Sequence, residues 1–398
     1  MALDIAALQR TLSELDLDGW LLYDFKGQNP TALNALGLAG RMLTRRWFYL
    51  VPAQGEPTAL VHAIELGSFP GDVPGKRAKY ASWESLLAQL RALLAPLPAR
   101  RRLAMEYFPR AAIPTLSRVD AGTIELMRAE GVEVASSAEL VQRFLCRLTP
   151  HQLASHVRAL RAIDDAKDAA FEQIGVALRR GIEPTETQIQ KFLLDRFAEA
   201  HLECDHAPIV AVNAHAGDPH YEPSGRTPTP IRKGDLVLID LWARGKGPSD
   251  AYADITWVGY CGDRPPSKAE EIFRVAAEGR DRGVEALRAA HREGRTLRGC
   301  DVDAVVREHI ASKGYGEKFI HRTGHSITTS VHGDGANLDS LETHDTRELV
   351  LGLAFSIEPG IYLPEEGLGV RTEIDVVLTA EGPQIFSKVQ DEIVRIAC

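Results

Sequence analysis

Long apolar runs are missing from this sequence of 398 residues, and their absence excludes whole classes of protein. No stretch approaches the roughly 20 consecutive apolar residues that a membrane-spanning helix needs. The N-terminus carries Asp4 early and has no apolar block behind basic residues, which is unlike a secretory signal. We therefore expect a cytoplasmic protein that has no membrane partner.

Cysteine and positive charge are also in short supply. The five cysteines are few and widely spaced: Cys146, Cys204, Cys261, Cys300 and Cys398. Their odd number and spacing disfavour a disulfide framework and a thiolate zinc site. Lys and Arg number 46 against 55 Asp and Glu, which gives a net charge of −9. An acidic chain without a basic run is a poor candidate for binding nucleic acid or anionic lipid.

The overall composition, with 44% apolar and 25% charged residues, is that of a globular protein. The length favours two domains. Short strand and helix patterns alternate over 1–148, including a hairpin formed by Trp47–Val51 and Thr58–His62, and predict a small α/β domain. Thr149-Pro150 is a strong helix start, so a second domain is expected over 149–398. Periodicity and capping signals predict these helices: 3–16, 82–95, 136–146, 149–178, 185–200 and one helical block over 266–313.

Two acidic residues, Asp240 and Asp254, lie in a pattern typical of a hairpin. Leu236–Ile239 is a continuous apolar run, so its strand is expected to be buried on both faces, with Asp240 following it. A turn centred near Gly247 would place Asp240 directly opposite Asp254. Like charges facing each other destabilise a sheet unless a cation lies between them.

A second hairpin repeats the arrangement. Glu358 follows an apolar strand and Glu373 lies in the next one, so a turn centred on Glu365 and Glu366 would bring them opposite each other. His325 lies between the two hairpins in sequence. A single acidic residue or histidine in such a position more often has a structural role than a role as a metal ligand. Four carboxylates with a histidine form a hard ligand set that suits manganese, iron, cobalt or zinc, and more than one ion. A Ser/His/Asp triad is not excluded by composition, but no serine elbow motif occurs.

Seven segments of the C-terminal domain follow the order of a known family. They are Pro208-Ile209-Val210, Pro219-His220-Tyr221, Gly234–Asp240, Ala253–Thr256, Gly324-His325, Ser356–Tyr362 and Val370–Glu373. In these segments the chain resembles the pita-bread metallopeptidases, which include methionine aminopeptidase, Xaa-Pro aminopeptidase and prolidase. The resemblance implies an α+β fold in which an antiparallel sheet is flanked by helices.

The resemblance also implies a dinuclear site with two divalent metal ions, Mn, Co or Zn. Asp240 and Asp254 would bind one ion, His325 and Glu358 the other, and Asp254 and Glu373 would bridge them. A metal-bridging hydroxide would then attack the scissile carbonyl, with Glu358 as the acid/base that protonates the leaving amine.

Four further residues are implied as contacts of a small peptide substrate. His220 and His332 would stabilise the tetrahedral intermediate. His321 is a further candidate for substrate contact. Arg371 shares a strand face with Glu373 and would support the site or meet a substrate carboxylate, the alternative being a pair with Asp375.

The N-terminal domain favours the proline-specific branch of the family, prolidases and Xaa-Pro aminopeptidases, which carry such a domain. In that branch the small domain often covers the partner's active site, so we predict a homodimer. Residues 26–46, with Arg41, Arg45 and Arg46, are candidates for the rim of that site, although a solvated loop is an equal alternative.

Several positions depart from the family pattern. Asp240 and Asp254 are 14 positions apart, which is wider than usual, and Asp250 ranks below Asp254 as a ligand. The glycine-rich run after the metal histidine is replaced by Ser326–Ser330. Gly333 stands where an acidic residue often follows the second histidine, and Trp257 replaces an arginine. We expect these changes to affect the pocket wall.

The resemblance leaves several functions open. The leading hypothesis is an Xaa-Pro dipeptidase, and the near alternative is an Xaa-Pro aminopeptidase that takes longer peptides. A metal-free hydrolase like creatinase and a non-catalytic binding module on the same fold are also possible. Relatives of those two kinds have lost metal ligands, whereas all five positions here are acids or imidazole.

Overall fold

The computed structural model of the chain describes residues 3–226 and 228–398. The chain forms two compact units, Met1–Leu145 and Cys146–Cys398. The boundary that we expected, before Thr149, lies three residues later than this division. Across the described ranges, no helix combines the length and the apolar character that crossing a membrane requires.

The first unit is built on a six-stranded mixed sheet. Its strands are β1 (Gly19–Asp24), β2 (Trp47–Pro52), β3 (Thr58–His62), β4 (Lys76–Tyr80), β5 (Arg101–Met105) and β6 (Val132–Ser136), in the order β4-β3-β2-β1-β5-β6. Its helices are α1 (Ile5–Glu14), α2 (Pro30–Ala35), α3 (Trp83–Leu94), α4 (Ala121–Ala129) and α5 (Ala138–Val141). The α/β class predicted for this part of the chain is therefore confirmed.

Local sequence signals explain most of these elements. Asp4 caps α1 by accepting from the Ala7 N–H, and the antiparallel β2–β3 hairpin is the one predicted. The helix expected over 136–146 is wrong in its length, because α5 ends at Val141 and Gln142–Cys146 forms a π-helical turn. β4 was not expected, because its residues Lys76–Tyr80 carry no apolar run.

Over residues 146–226 and 228–398, the second unit contains four long helices and three sheets. The helices are α6 (Pro150–Arg179), α7 (Glu186–Glu199), α8 (Ser267–Arg292) and α9 (Gly299–Ser312). The strands are β7 (Leu202–Glu203), β8 (Ile209–Val212), β9 (Leu236–Gly245), β10 (Ala253–Cys261), β11 (Ser326–Ile327), β12 (Ala354–Ile357), β13 (Gly360–Leu363), β14 (Leu368–Arg371), β15 (Ile374–Thr379), β16 (Gly382–Ile385) and β17 (Val394–Ile396). One sheet has the order β17-β10-β9-β7 with β8 also paired to β9, another the order β11-β12-β15-β16, and β13 pairs with β14.

Capping signals set the starts of the first two helices. The Thr149 side chain accepts from the Gln152 N–H while the Gln152 side chain accepts from the Thr149 N–H, as a capping box requires. The same reciprocal pair starts α7. The single block expected over 266–313 is wrong, because Gly294 adopts a left-handed φ of 65° and separates α8 from α9.

The β9–β10 ladder is packed on both sides, as its apolar run predicted. Val237, Ile239 and Leu241 belong to an apolar cluster with residues of α6 and α7. Leu236 and Leu238 belong to a second cluster with residues of α8 and α9. Because side chains alternate along a strand, every second residue from Leu238 onward faces the α8–α9 side. Polar residues at those positions are therefore held in a buried layer.

Replacing Thr149 by alanine removes one half of the capping box of α6. We expect the free energy of unfolding to fall by about 0.5–2 kcal/mol, because the Gln152 N–H loses its acceptor. Urea unfolding followed by circular dichroism measures the change. Thr149→Ser keeps the oxygen and is the matched control. Equal midpoints for the alanine and serine variants would contradict the capping role.

Candidate active site

The β9–β10 ladder carries the first pair of predicted carboxylates. Asp240 lies opposite Thr256 and Asp254 lies opposite Trp242, so the expectation that the two aspartates face each other directly is wrong by two positions. A shift of two residues preserves the side of the sheet. Both aspartates therefore lie on the α8–α9 side, as diagonal neighbours.

The position of the connecting turn explains this register. The Asp250 N–H donates to the Gly247 carbonyl over 2.9 Å, which closes a turn centred one residue later than expected. The Asp250 carboxylate accepts from the Gly247 N–H at 3.1 Å and lies 3.0 Å from His151 Nε2. Asp250 is thus engaged in the turn, which agrees with its ranking below Asp254 as a ligand.

The second hairpin has the expected register. β13 pairs with β14, and β12 with β15, as a turn centred on Glu365 and Glu366 predicts. Glu358 and Glu373 occupy the gap between these two ladders. The Glu373 N–H donates to the Thr256 carbonyl of β10 over 3.2 Å, which joins the second hairpin to the first.

His325 is held by a close backbone approach. A Cβ atom at Gly324 would lie 1.9 Å from the Ser356 carbonyl oxygen, so this position requires glycine. The His325 N–H donates to Ser356 Oγ over 3.0 Å. Its ring Nδ1 lies 3.4 Å from the Ser326 carbonyl, which assigns the proton to Nδ1 and leaves the Nε2 lone pair free. Nε2 lies 3.6 Å from Asp254 Oδ2.

All five predicted metal ligands line one cavity of about 780 Å³: Asp240, Asp254, His325, Glu358 and Glu373. Asp254, His325 and Glu373 each place one potential ligand atom within 4.8 Å of the other two. Glu358 Oε1 lies 3.4 Å from His325 Nε2. Residues far apart in sequence thus converge on a common space.

The electrostatics of this space fit bound cations. Asp254 Oδ1 and Glu373 Oε1 are buried without a hydrogen-bond partner in the described chain. Burial, and then the neighbouring Asp240 and Glu358, raise the pKa of Asp254 well above its usual value. Burial and then Asp254 do the same to the pKa of Glu373. Burial lowers the pKa of His325, so its imidazole is neutral. Buried carboxylates and a neutral imidazole are what hard divalent ions require.

Thr256 is a site residue that the sequence analysis did not single out. Its hydroxyl lies 3.0 Å from Asp240 Oδ1 and 2.7 Å from Glu373 Oε2, and it accepts from Arg371 Nε at 3.1 Å. One hydroxyl proton can serve only one carboxylate at a time, so the other is left for a cation. The signal was its position two residues after Asp254, on the same face of the strand.

Arg371 is buried and committed to the protein. Besides its Nε, which donates to Thr256, its Nη2 donates to Asp240 over 2.5 Å and its Nη1 donates to the Tyr362 hydroxyl over 3.1 Å. Tyr362 donates to His321 Nε2 at 2.7 Å, and His321 Nδ1 donates to the Arg322 carbonyl at 2.7 Å. Both ring nitrogens of His321 are therefore used within the protein, so the predicted substrate contact would have to involve its ring carbons.

Asp375 lies behind the ligand cluster. Its carboxylate accepts from the Asp254 N–H at 2.8 Å and lies 3.8 Å from His156 Nε2. The alternative pair of Arg371 with Asp375 is therefore wrong. The ring of His156 in turn holds the Tyr252 carbonyl at 2.6 Å. Alternation along β15 could have indicated Asp375, whereas no sequence signal connects His156 with this strand.

His220 and His332 line the wall of the same cavity. The His332 ring centroid is 4.3 Å from that of His325, with the planes at 80°. The neighbouring His325, and then burial, lower the pKa of His332 to about 3, so its imidazole is neutral at pH 7. A neutral ring can donate one hydrogen bond to a substrate oxygen.

The proposed rim segment, residues 26–46, belongs to the first unit. The Arg45 N–H donates to Glu65 over 3.1 Å, and the Arg46 guanidinium lies 5.1 Å from the centroid of the Trp83 ring. These contacts fix the end of the segment. Its role in a dimer stays a prediction.

Comparison with known proteins identifies the family. The sequence model described as metallopeptidase family M24 matches residues 158–380, which is more than half of the chain. The chain belongs to metallopeptidase family M24. The resemblance noted in the sequence is thus confirmed.

This M24 chain has curated relatives at moderate identity. It is 31% identical over 252 residues to an Xaa-Pro dipeptidase of Lactobacillus delbrueckii subsp. lactis, a match covering 63% of each chain. It is 30% identical over 268 residues to the uncharacterized peptidase YqhT of Bacillus subtilis (strain 168), covering 67% of this chain and 68% of that one. The matches span about two thirds of these relatives.

A solved structure supports the fold over nearly the whole length. The dipeptidase PepE from Mycobacterium ulcerans matches with a TM-score of 0.75 at 22% identity, covering 98% of this chain and 96% of that chain. At this identity the likeness concerns the fold. The predicted pita-bread architecture is confirmed.

The departures from the M24 pattern have separate structural reasons. Trp257 lies on the opposite face of β10 from the ligands, with Lys167 Nζ 3.3 Å from its ring centroid, so our expectation that it affects the pocket wall is wrong. A Cβ at Gly333 would lie 2.9 Å from Thr328 Cγ2, so a larger side chain there would require the Thr328 side chain to move. The start of Ser326–Ser330 forms β11.

Divalent ions should stabilise the wild-type protein after metal removal. At about 100 times the dissociation constant, an ion that binds only the folded state adds about 2.7 kcal/mol to the free energy of unfolding. Thermal melting with Mn²⁺, Co²⁺ or Zn²⁺ measures this. Glu373→Gln should lose most of the shift, while Glu366→Gln, an exposed carboxylate of the same hairpin, should keep it. Equal shifts in both variants would argue against the assigned ligands.

Stability of the metal-free protein should decrease as pH rises. The pKa values of Asp254 and Glu373 are raised in the folded state, so the folded state binds more protons than the unfolded one. Their contribution is full below the ordinary carboxyl pKa of about 4 and is lost as pH rises through the raised values. Ion binding needs deprotonated ligands and has the opposite dependence. Denaturant midpoints against pH, with and without Mn²⁺, test this; parallel profiles would contradict it.

Proposed function

We propose that this M24 peptidase hydrolyses the Xaa–Pro bond, with dipeptides as the preferred substrates and two divalent metal ions as cofactors. The convergence of five metal-ligating side chains in one cavity supports the proposal most strongly. Two of them have buried oxygens that find no hydrogen-bond partner among the described residues. The Xaa-Pro dipeptidase among the relatives supports the choice of substrate.

The donors divide between two positions by resemblance to the family. Asp240 and Asp254 would hold one ion, His325 and Glu358 the other, and Asp254 and Glu373 both. When bound, the ions would lower the pKa of a shared water and polarise the scissile carbonyl. Thr256 and Arg371 keep the carboxylates oriented through the contacts described above.

Glu358 is placed to move the proton. It is the least buried of the four carboxylates, with a side chain 14% exposed. Ser356 Oγ donates to its Oε1 at 3.0 Å, which leaves Oε2 toward Arg371, 4.0 Å away, and the cavity. In the proposed reaction Glu358 takes the proton of the attacking water and gives it to the proline nitrogen as the peptide bond breaks.

The cavity wall supplies the remaining contacts. His220 and His332 would donate hydrogen bonds to the carbonyl oxygen as its negative charge develops. Trp242 and Val331 offer apolar surface to the proline ring, and the Trp242 indole is oriented by donating to Asp205 over 2.9 Å. These residues would bind and orient the peptide.

Cleavage of longer peptides, as by an Xaa-Pro aminopeptidase, is the alternative. The cavity of about 780 Å³ has room for more than two residues, which favours this reading. A metal-free hydrolase or a binding module would leave the complete donor set unexplained. The homodimer, the cytoplasmic location and the part of residues 26–46 at a partner's site remain predictions.

A small peptide panel tests the function. With Mn²⁺, Co²⁺ or Zn²⁺, we expect Ala-Pro to be cleaved to alanine and proline faster than Ala-Pro-Ala, and Ala-Ala to be cleaved far more slowly. Glu358→Gln should lower kcat by about 10²–10⁴-fold, since it removes the proton acceptor. Chromatography of the products measures all rates, with Glu366→Gln as the control. Faster cleavage of Ala-Pro-Ala would favour the aminopeptidase, and no cleavage of any Xaa-Pro peptide would refute the proposal.

A further inference from the structure

The cavity that holds the donor cluster is strongly acidic apart from two arginines. Among the described residues that line it, Asp and Glu number seven, and the arginines are Arg322 and Arg371. A dipeptide brings its own negative charge, the free carboxylate of its second residue. That carboxylate needs a cation on the wall that is not already used by the protein.

Arg371 does not meet this requirement. Its three nitrogens donate to Thr256, Asp240 and Tyr362, and its residue is 4% exposed. A substrate carboxylate could approach only by displacing Asp240, one of the proposed ligands. The geometry therefore assigns Arg371 to holding the donor cluster.

Arg322 has the opposite properties. Across residues 3–226 and 228–398, its guanidinium makes no hydrogen bond or ion pair, and the residue is half-buried. Its backbone is firmly held. The Arg322 N–H donates to Glu342 over 2.9 Å, and its carbonyl accepts from His321 at 2.7 Å. A rigid backbone thus presents an unused cation to the cavity.

This cation shares its cavity with the groups proposed to react. Arg322, His325 and His332 all line that cavity, and Arg322 lies three residues before His325 in the sequence. His332 is one of the two histidines proposed to contact the scissile carbonyl. The residue that follows a scissile bond in a dipeptide carries its carboxylate only a few bonds away from that carbonyl. A guanidinium on the wall of the same cavity is therefore a candidate partner for this carboxylate.

We propose that Arg322 binds the free C-terminal carboxylate of the substrate and so selects dipeptides over longer or blocked peptides. This inference rests on the proposed Xaa–Pro hydrolysis. The planar guanidinium can pair with a carboxylate through two parallel N–H···O bonds, which the ammonium of lysine cannot. Glu342, on the same wall, holds the backbone of Arg322 rather than its side chain.

Comparing Ala-Pro with its C-terminal amide, Ala-Pro-NH₂, tests this assignment. The two peptides differ in the charge that Arg322 would recognise. In the wild type, we expect a higher kcat/KM for the acid than for the amide. Arg322→Gln should lower kcat/KM for the acid by about 10–100-fold, mainly through KM, and leave the amide nearly unchanged. Arg322→Lys should recover part of the loss, since it keeps the charge but loses the paired geometry.

Arg264→Gln is the matched control, because Arg264 is an exposed arginine outside the cavity. An acid-to-amide ratio in Arg322→Gln equal to that of the wild type would overturn the assignment, as would a wild type that cleaves both peptides equally well. In both cases Xaa–Pro hydrolysis itself would stand. Failure of the wild type to cleave either peptide would instead remove the proposed function, so the two failures are distinguishable.

Discussion

Burial of like charge is the constraint on which the second unit depends. Asp240, Asp254 and Glu373 are each less than one tenth exposed and share one cavity with Glu358. Without positive charge between them, such carboxylates would repel one another or take up protons. The fold supplies part of that charge through Arg371, and bound cations would supply the rest. The donor set, the packing and the family membership agree on this point.

The rigid packing of the surrounding strands allows the buried carboxylates to stay close together. β9 and β10 are packed on both faces by apolar clusters, so their backbones cannot move apart to relieve the repulsion. The close approach of Gly324 to Ser356 fixes the histidine in the same way. Ordinary hydrophobic packing thus opposes the repulsion between the carboxylates. The apolar clusters stabilise the strands, and the buried polar layer carries the residues of the candidate site.

Local signals predicted local features well. The capping box at Thr149 and the turn centred on Glu365 and Glu366 are written in a few adjacent residues, and the structure has both. The turn at Gly247 was misplaced by one residue, because the Asp250 side chain and backbone, not glycine spacing, decide where it closes. Contacts between distant segments carry no such signal. His156 beside Asp375, or Tyr362 between Arg371 and His321, follow only from the tertiary fold.

The turn between β9 and β10 also indicates how far the loop that connects these strands can vary. Residues 246–252 can lengthen or shorten while the donors stay in place, provided that the two strands keep their pairing. A slip by an even number of positions would keep both aspartates on the same face but move one of them along the ladder. An odd slip of one strand would turn the aspartate of that strand toward α6 and α7, so that Asp240 and Asp254 would lie on opposite faces of the sheet. The register between the two strands, more than the length of the loop, therefore limits which insertions such a hairpin can accept.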